Sequence, residues 1–379
     1  MASPEEIRNG LRELDFALHA AWKLGQHMVA GWMHEANVVA ICAAPVWRVL
    51  AEAPNVPRIL SGGRHMGAST FGEVCKALQA RPIRVELPFT VGENKGEIDP
   101  QVIDQVVRRY GVSRSEHRAV MLFDIVGFSK VDPLAQMAQL ASLEFSINNA
   151  AKKLSEAGLD VELARSTVGD GFYVWNRARG FEADLRTYAA MVLILADNAV
   201  ARSRGEARFV PVMRTCFSIG SHYAYHQIEG TRPRGFEYLV GEVTIQLARL
   251  IGKALANQIC IGSFVRPTEP PVVRNLDTIL FLARAEKLLE KIQGLSIGGY
   301  AISRVRSQIT GGKIGEATLP VVMHRIVDKH GYNHDLFNAR VLVQRDETEP
   351  IVVGLKPEDL GEFEATALPY RLPDPAATT

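Results

Sequence analysis

Leu11, Leu14, Leu18, Ala21 and Trp22 recur at helical spacing behind Ser3-Pro4-x-Glu6, which has the form of a capping box with proline at the first helical position. The pattern predicts a long amphipathic helix at the start of the chain. Pro45, Pro54 and Pro57 then punctuate, and Ser61-Gly62-Gly63 marks a loop. Ile83 to Leu87 alternates like a strand, and Val91 to Gly96 reads as an exposed loop. Residues 1–112 are expected to be mostly helical, and they carry no recognisable chemistry.

The centre changes character. Ala119 to Phe123 is a continuous apolar run suited to a buried strand. A long helix follows Asp132-Pro133, with Leu140, Leu143, Ile147, Ala150 and Leu154 on one face and Gly158 at its end. Val161 to Ser166 and Phe172 to Trp175 read as strands joined by a tight turn at Gly169-Asp170-Gly171. Leu185 to Val200 is a second helix, Val210 to Gly220 a strand, Val243 to Leu255 a third helix and Gln258 to Gly262 another strand. Strands and helices interleave, but the hairpin at Gly169 requires antiparallel pairing. The fold class predicted is α+β, with helices packed on a mixed sheet.

Arg266 to Pro271 has the composition of a linker. Beyond it the pattern gives a helix around Leu276 to Leu288, then a strand pair, Leu319 to Val327 and Phe337 to Val343, joined by a turn. The expected organisation is a helical N-terminal region (1–112), a central domain (113–265), a small α/β C-terminal region (272–368) and a frayed tail rich in Pro and Ala (369–379).

At 379 residues the chain has room for two domains, or one with extensions. With 43 Lys+Arg against 42 Asp+Glu the formal charge is +1, which argues against a protein that coats nucleic acid or an acidic membrane. No apolar run reaches the roughly 20 residues a bilayer requires; Met28 to Leu50 comes nearest and is broken by His34, Glu35, Asn37, Pro45 and Arg48. Cys42, Cys75, Cys216 and Cys260 are scattered, as in a reducing compartment. The expected location is the cytoplasm.

Two motifs invite a function and yield to plainer readings. Gly62-x4-Gly67-Ala68-Ser69 almost spells a phosphate-binding loop, but Ala68 stands where the essential lysine belongs. His330-x3-His334, with His324 nearby, has metal-like spacing but sits among turn residues between two strands.

The strongest signal is Phe123-Asp124-Ile125-Val126-Gly127-Phe128-Ser129 followed by Gly169-Asp170-Gly171. Each places an aspartate where an apolar strand meets a glycine turn. A buried carboxylate is costly unless something positive neutralises it, and two of them suit a pair of Mg²⁺ or Mn²⁺ ions.

These residues look like the two metal-site signatures of class III nucleotidyl cyclases. Arg214-x5-Gly220 is similar to that family's Arg…Gly strand, and Gly241 to Leu250 to the helix that carries its Asn and Arg four residues apart. The resemblance covers about residues 118–264. It implies that Asp124 and Asp170, with the Ile125 carbonyl, hold two divalent cations. It places Gly127, Phe128 and Arg214 on the substrate and Arg249 at the transition state, while the family's Asn contact is either absent or supplied by Gln246. The chain departs from the pattern at Ile245, which takes the Asn position, and at Cys216, where a glycine is usual.

Ser166 and Tyr238 fall on the two positions that read the base in purine cyclases. A serine lacks the charge of the usual Lys or Glu, and a phenol fills volume that a purine needs, so the pocket should prefer a smaller ring. On these positions the chain resembles the pyrimidine cyclases of bacterial anti-phage signalling, which make cyclic UMP or cyclic CMP. UTP is favoured over CTP if Arg165, which can only donate, reaches the uracil O4.

The resemblance implies a homodimer whose sites are shared across a head-to-tail interface, with Asp124 and Asp170 of one chain facing Tyr238 and Arg249 of the other. A separate cyclic-nucleotide effector would read the product. The alternatives are a purine cyclase, a degenerate cyclase fold that only senses a nucleotide, and an assembly protein that works through its helical N-terminus.

Overall fold

A computed structural model describes residues 2–205, 208–228, 235–270 and 273–371. The chain divides into two compact units, one of residues 1–115 and 222–240 and one of residues 116–221 and 241–379.

The first unit opens with α1 (Pro4–Trp22), where Ser3 and Glu6 close the expected capping box. β1 (His27–Glu35), β2 (Val38–Pro45), α2 (Val46–Glu52), α3 (Ala68–Ala77), β3 (Ile83–Glu86) and α4 (Pro100–Val107) follow. The three strands form an antiparallel sheet in the order β1-β2-β3. Leu14, Leu18, Trp32, Ile41 and Ile103 build a core on one side of it, and Ala30, Cys42, Val49, Phe71 and Val74 build a second. The expectation of a mostly helical region is thus corrected. β1 and β2 are covered on both faces, so their apolar residues run on without the alternation that marks a half-exposed strand. The Gly62 loop leads to α3 and carries the buried Arg64, which donates to the carbonyls of Ala30, Ile59, Leu60 and Val112.

The second unit is built from β4 (Val112–Ile125), which begins in the first, then α5 (Pro133–Glu156), β5 (Leu163–Thr167), β6 (Gly171–Asn176) and α6 (Phe181–Arg204). β7 (Met213–Ile228) continues into the first unit, where its second half pairs with β8 (Gly235–Val240). α7 (Glu242–Ile251), β9 (Ile259–Gly262), β10 (Val265–Pro267), β11 (Asn275–Asp277) and α8 (Thr278–Leu289) follow. The C-terminal strands are β12 (Ser296–Ile297), β13 (Tyr300–Ile309), β14 (Gly312–Ile314), β15 (Ala317–Leu319), β16 (Val322–Val327), β17 (Asn333–Arg345), β18 (Thr348–Val353) and β19 (Thr366–Pro369).

The main sheet runs β12-β13-β17-β9-β7-β4-β6-β5. It is mixed: β7 and β9 are parallel, while β4–β6, β5–β6 and β9–β17 are antiparallel. The α+β class is as the sequence predicts. α6 lies against the sheet between α5 and α8, and Tyr188, Phe217, Phe264 and Phe281 meet around it, Phe217 and Phe281 stacked and the other contacts tilted or edge-on. Among the described residues no helix is long and apolar enough to cross a membrane.

Two expectations about the C-terminal third change. Position 265–272 is not a boundary of the packing, because β17 pairs with β9 and extends the central sheet. Arg266 is no linker residue either: it is buried, its Nε donates to Asp184 at 2.6 Å, and its strand pairs with β11. A carboxylate on a helix as buried as α6 requires a cation, and this arginine supplies it. The tail begins in order, with β19 paired to β16 and the Tyr370 hydroxyl donating to Asp277 at 2.8 Å. Residues 372–379 lie outside the described residues.

Candidate active site

β4 and β6 run antiparallel with Asp124 opposite Gly171, and the amide of Ile125 donates to the carbonyl of Asp170 at 2.9 Å. Gly169 supplies the positive φ of +92° that the turn needs, and the Val168 amide closes it onto Gly171 O at 3.1 Å. Gly171 is required by space: a Cβ there would stand 1.9 Å from the Phe123 carbonyl oxygen. That close approach brings the side chains of Asp124 and Asp170 together.

Asp124 is buried, and its carboxyl is pushed above the ordinary range, first by burial and then by Asp170 beside it, while Arg214 opposes both. Arg214 donates through Nε to Asp124 Oδ2 at 2.7 Å, with Nη2 2.5 Å from the same oxygen. The arginine expected on the substrate therefore sits on a metal-candidate carboxylate. Ile125 is buried in the core, and Phe128 packs at its margin. Gly127 takes the left-handed conformation, φ +70°, that starts the short turn Phe128–Lys130. A Cβ there would make only an ordinary 3.8 Å contact, so conformation and not space selects this glycine.

Arg249 and Gln246 occupy a different cleft, of about 750 Å³, between α7 and the turn joining β16 to β17. Gln246 accepts from the Ser218 hydroxyl at 2.7 Å and donates to Ser263 O at 3.4 Å. Ile245, at the Asn position, is 54% exposed and offers no polar atom. Arg249 Nε lies 3.2 Å from Asp328 Oδ2. Neither Asp124 nor Asp170 lines this cleft. α7 and the residues just after it nonetheless meet the aspartate elements, the Tyr173 hydroxyl donating to Thr244 O at 3.0 Å and Arg214 Nη1 lying 3.5 Å from Ala254 O.

Ser166 pairs with Tyr173 across the β5–β6 ladder and is partly exposed. Arg165 turns to α5, where its guanidinium bonds to Asn148 Oδ1 at 2.9 Å and to Glu144. The expectation that it reaches the base is not met in this chain, where both its terminal nitrogens are drawn to α5 by Asn148 and Glu144. Tyr238, on β8 in the first unit, lies opposite Tyr225 and is 37% exposed.

The histidine motif is a turn, as the plainer reading holds. Asp328 Oδ1 accepts from the amides of His330 and Tyr332, at 2.8 and 3.0 Å. His324 is buried edge-on against Phe363. Among the described residues no group of three or more His, Cys, Asp or Glu is placed to hold a metal ion. Asp124 and Asp170 still fit divalent cations in kind: both are hard oxygen donors, they adjoin, and a guanidinium already answers the charge at one of them. Sequence reasoning missed Asp328 and its contact with Arg249. The signal available was an Asp two residues before His330 in a glycine turn, the usual acceptor of local backbone N–H groups.

No family model matches the chain, and no curated protein matches it. Solved structures similar to it include the adenylyl cyclase CyaB from P. aeruginosa, at 13% identity, covering 63% of this chain and 99% of that one, with a TM-score of 0.36. The guanylyl cyclase Cya2 is 12% identical, covering 60% and 92%, with a TM-score of 0.33. The guanylate cyclase domain of RhGC from Catenaria anguillulae, in complex with GTP, is 18% identical, covering 44% and 95%, with a TM-score of 0.32.

Proposed function

We propose that the chain is a nucleotidyl cyclase that converts a nucleoside triphosphate to its 3′,5′-cyclic nucleotide and pyrophosphate. The observation that carries this is the β4–β6 pairing, which sets Asp124 and Asp170 side by side where a close-approach glycine permits it. In the reaction the ribose 3′-oxygen attacks the α-phosphorus in line. The bond to the bridging oxygen of pyrophosphate breaks, and the hydroxyl proton is lost to solvent.

Asp124 and Asp170 would hold two Mg²⁺ or Mn²⁺ ions, with the Ile125 carbonyl as a further donor. Bound there, such ions acidify the 3′-hydroxyl and brace the triphosphate. Arg214 then has two tasks, offsetting the charge of Asp124 and, when the carboxylate is otherwise engaged, meeting a substrate phosphate. Arg249 stabilises charge developing at the α-phosphate, a charge-assisted contact worth about 1.5–3 kcal/mol. Positioning and electrostatics supply most of the rate.

The resemblance further supports a homodimer whose sites each combine the aspartates of one subunit with Arg249 of the partner subunit, and neither aspartate lines the Arg249 cleft of its own chain. Ser166 and Tyr238 support a pyrimidine base. Arg165 gives no help in separating UTP from CTP, so the preference for UTP rests on resemblance to the uridylate-producing cyclases. The biological setting proposed is cytoplasmic second-messenger synthesis in anti-phage defence, with a separate effector reading the product.

A nucleotide-sensing module without chemistry is the second reading. It is favoured by Ile245 at the Asn position and by the ion pair between Arg214 and Asp124. Incubating the protein with each of the four NTPs and Mn²⁺, and identifying products by mass, decides between them. Mainly cyclic UMP or cyclic CMP supports the proposal, mainly cyclic AMP or cyclic GMP overturns the pyrimidine assignment, and binding without turnover establishes the sensor.

A further inference from the structure

We propose that Asp328 is a positioning residue that sets the guanidinium of Arg249 for its contact with the α-phosphate, an inference that rests on the cyclase reading. Asp328 stands at the start of the turn between β16 and β17, a hairpin closed by the pairing of Val327 with Asn333. Its amide donates to Tyr332 O at 2.9 Å, and its Oδ1 accepts from the amides of His330 and Tyr332. The turn is therefore satisfied by one carboxylate oxygen. The other, Oδ2, faces out of the turn into the cleft, 3.2 Å from Arg249 Nε and 3.3 Å from His334 Nε2.

This division of labour is what a positioning carboxylate requires. The Asp328 side chain is only 5% exposed, against 31% for that of Arg249, so the anchor is fixed and the anchored group reaches the cleft. Among the described residues the terminal nitrogens of Arg249 have no other partner. The contact is an ion pair without hydrogen-bond geometry, and an arginine drawn to a carboxylate on its Nε side leaves those two nitrogens as a planar fork, the geometry that grips a phosphate through two parallel hydrogen bonds. Without the anchor, the long side chain on α7 would sample several rotamers, and misplacing a catalytic contact by about 1 Å costs on the order of a hundredfold in rate.

Asp328→Asn keeps the Oδ1 acceptor that builds the turn and removes the negative charge beside Arg249. The protein is labelled with ¹⁵N-arginine, and the Nε–H signal of Arg249 is identified by its loss in Arg249→Lys. In Asp328→Asn that signal should shift or broaden, and kcat should fall about 10- to 100-fold with KM little changed and the melting temperature preserved. In an Arg249→Lys background the same change should cost little more. An unshifted Arg249 signal overturns the anchor. Unchanged kcat, or an equal fractional loss in both backgrounds, overturns its service to the reaction. A wild-type chain that makes no cyclic nucleotide while the signal still moves upholds the anchor and overturns the cyclase reading.

Discussion

Asp124 near the end of β4 and Arg214 near the start of β7 are locked through two nitrogens on one oxygen, Nε at 2.7 Å and Nη2 at 2.5 Å from Oδ2. Burial and the neighbouring Asp170 both disfavour the charged carboxylate, and Arg214 is what opposes them. The pair is partly buried, so the loss of either partner leaves the other with a desolvation cost that nothing repays.

Arg214→Ala should therefore lower stability by about 1–3 kcal/mol. Asp124→Asn in the same chain should recover most of that loss, because the orphaned charge is gone. Urea denaturation of the two single variants and the double variant gives the coupling, and strictly additive losses would dismiss the pair.

Asp170 contributes repulsion to Asp124 in the absence of a cation. Asp170→Asn should leave the melting temperature unchanged or slightly raised, yet reduce cyclic nucleotide formation to background. EDTA should silence the wild-type chain in the same way, and Mn²⁺ should restore it. Full turnover in Asp170→Asn would remove the metal assignment.

Shared sites predict rescue between inactive chains. Mixing Asp124→Ala with Arg249→Ala should return activity to mixed dimers, up to about one intact site in each. If exchange is verified by mass and no activity returns, the site is contained within one chain.

His324 should make stability pH-dependent. Burial holds its pKa below the ordinary histidine value, so the unfolded chain takes up a proton more readily than the folded one. Its contribution is fully present above about pH 6.5 and is lost as pH falls from there toward the folded-state value. His324→Gln should flatten the slope of stability against pH in that window. A slope as steep as that of the wild type would show that other groups are responsible.

How far the residues announced this arrangement depended on how local each cause was. The aspartate pair was readable because an apolar run, two glycines and a hairpin lie within about fifty residues and constrain one another. β1 and β2 were not, since strands covered on both faces show no period of two; Asn37 in the turn between them was the one cue. The buried pair Arg266–Asp184 joins positions 82 apart and gave a linker-like stretch a structural role that composition hides. The Asp328–Arg249 contact is a product of tertiary packing, as is the turning of Arg165 toward Glu144.

Gly171 bears on how such a site can change over generations. Every single-codon replacement of this glycine puts an atom into the Phe123 carbonyl oxygen and forces apart the strands that carry Asp124 and Asp170. On the proposed cyclase reading, Ser166 and Tyr238 are partly exposed, so the base preference they would set can change one substitution at a time. The proposed metal pair has no such gradual path: loss of that close approach would end it in a single step.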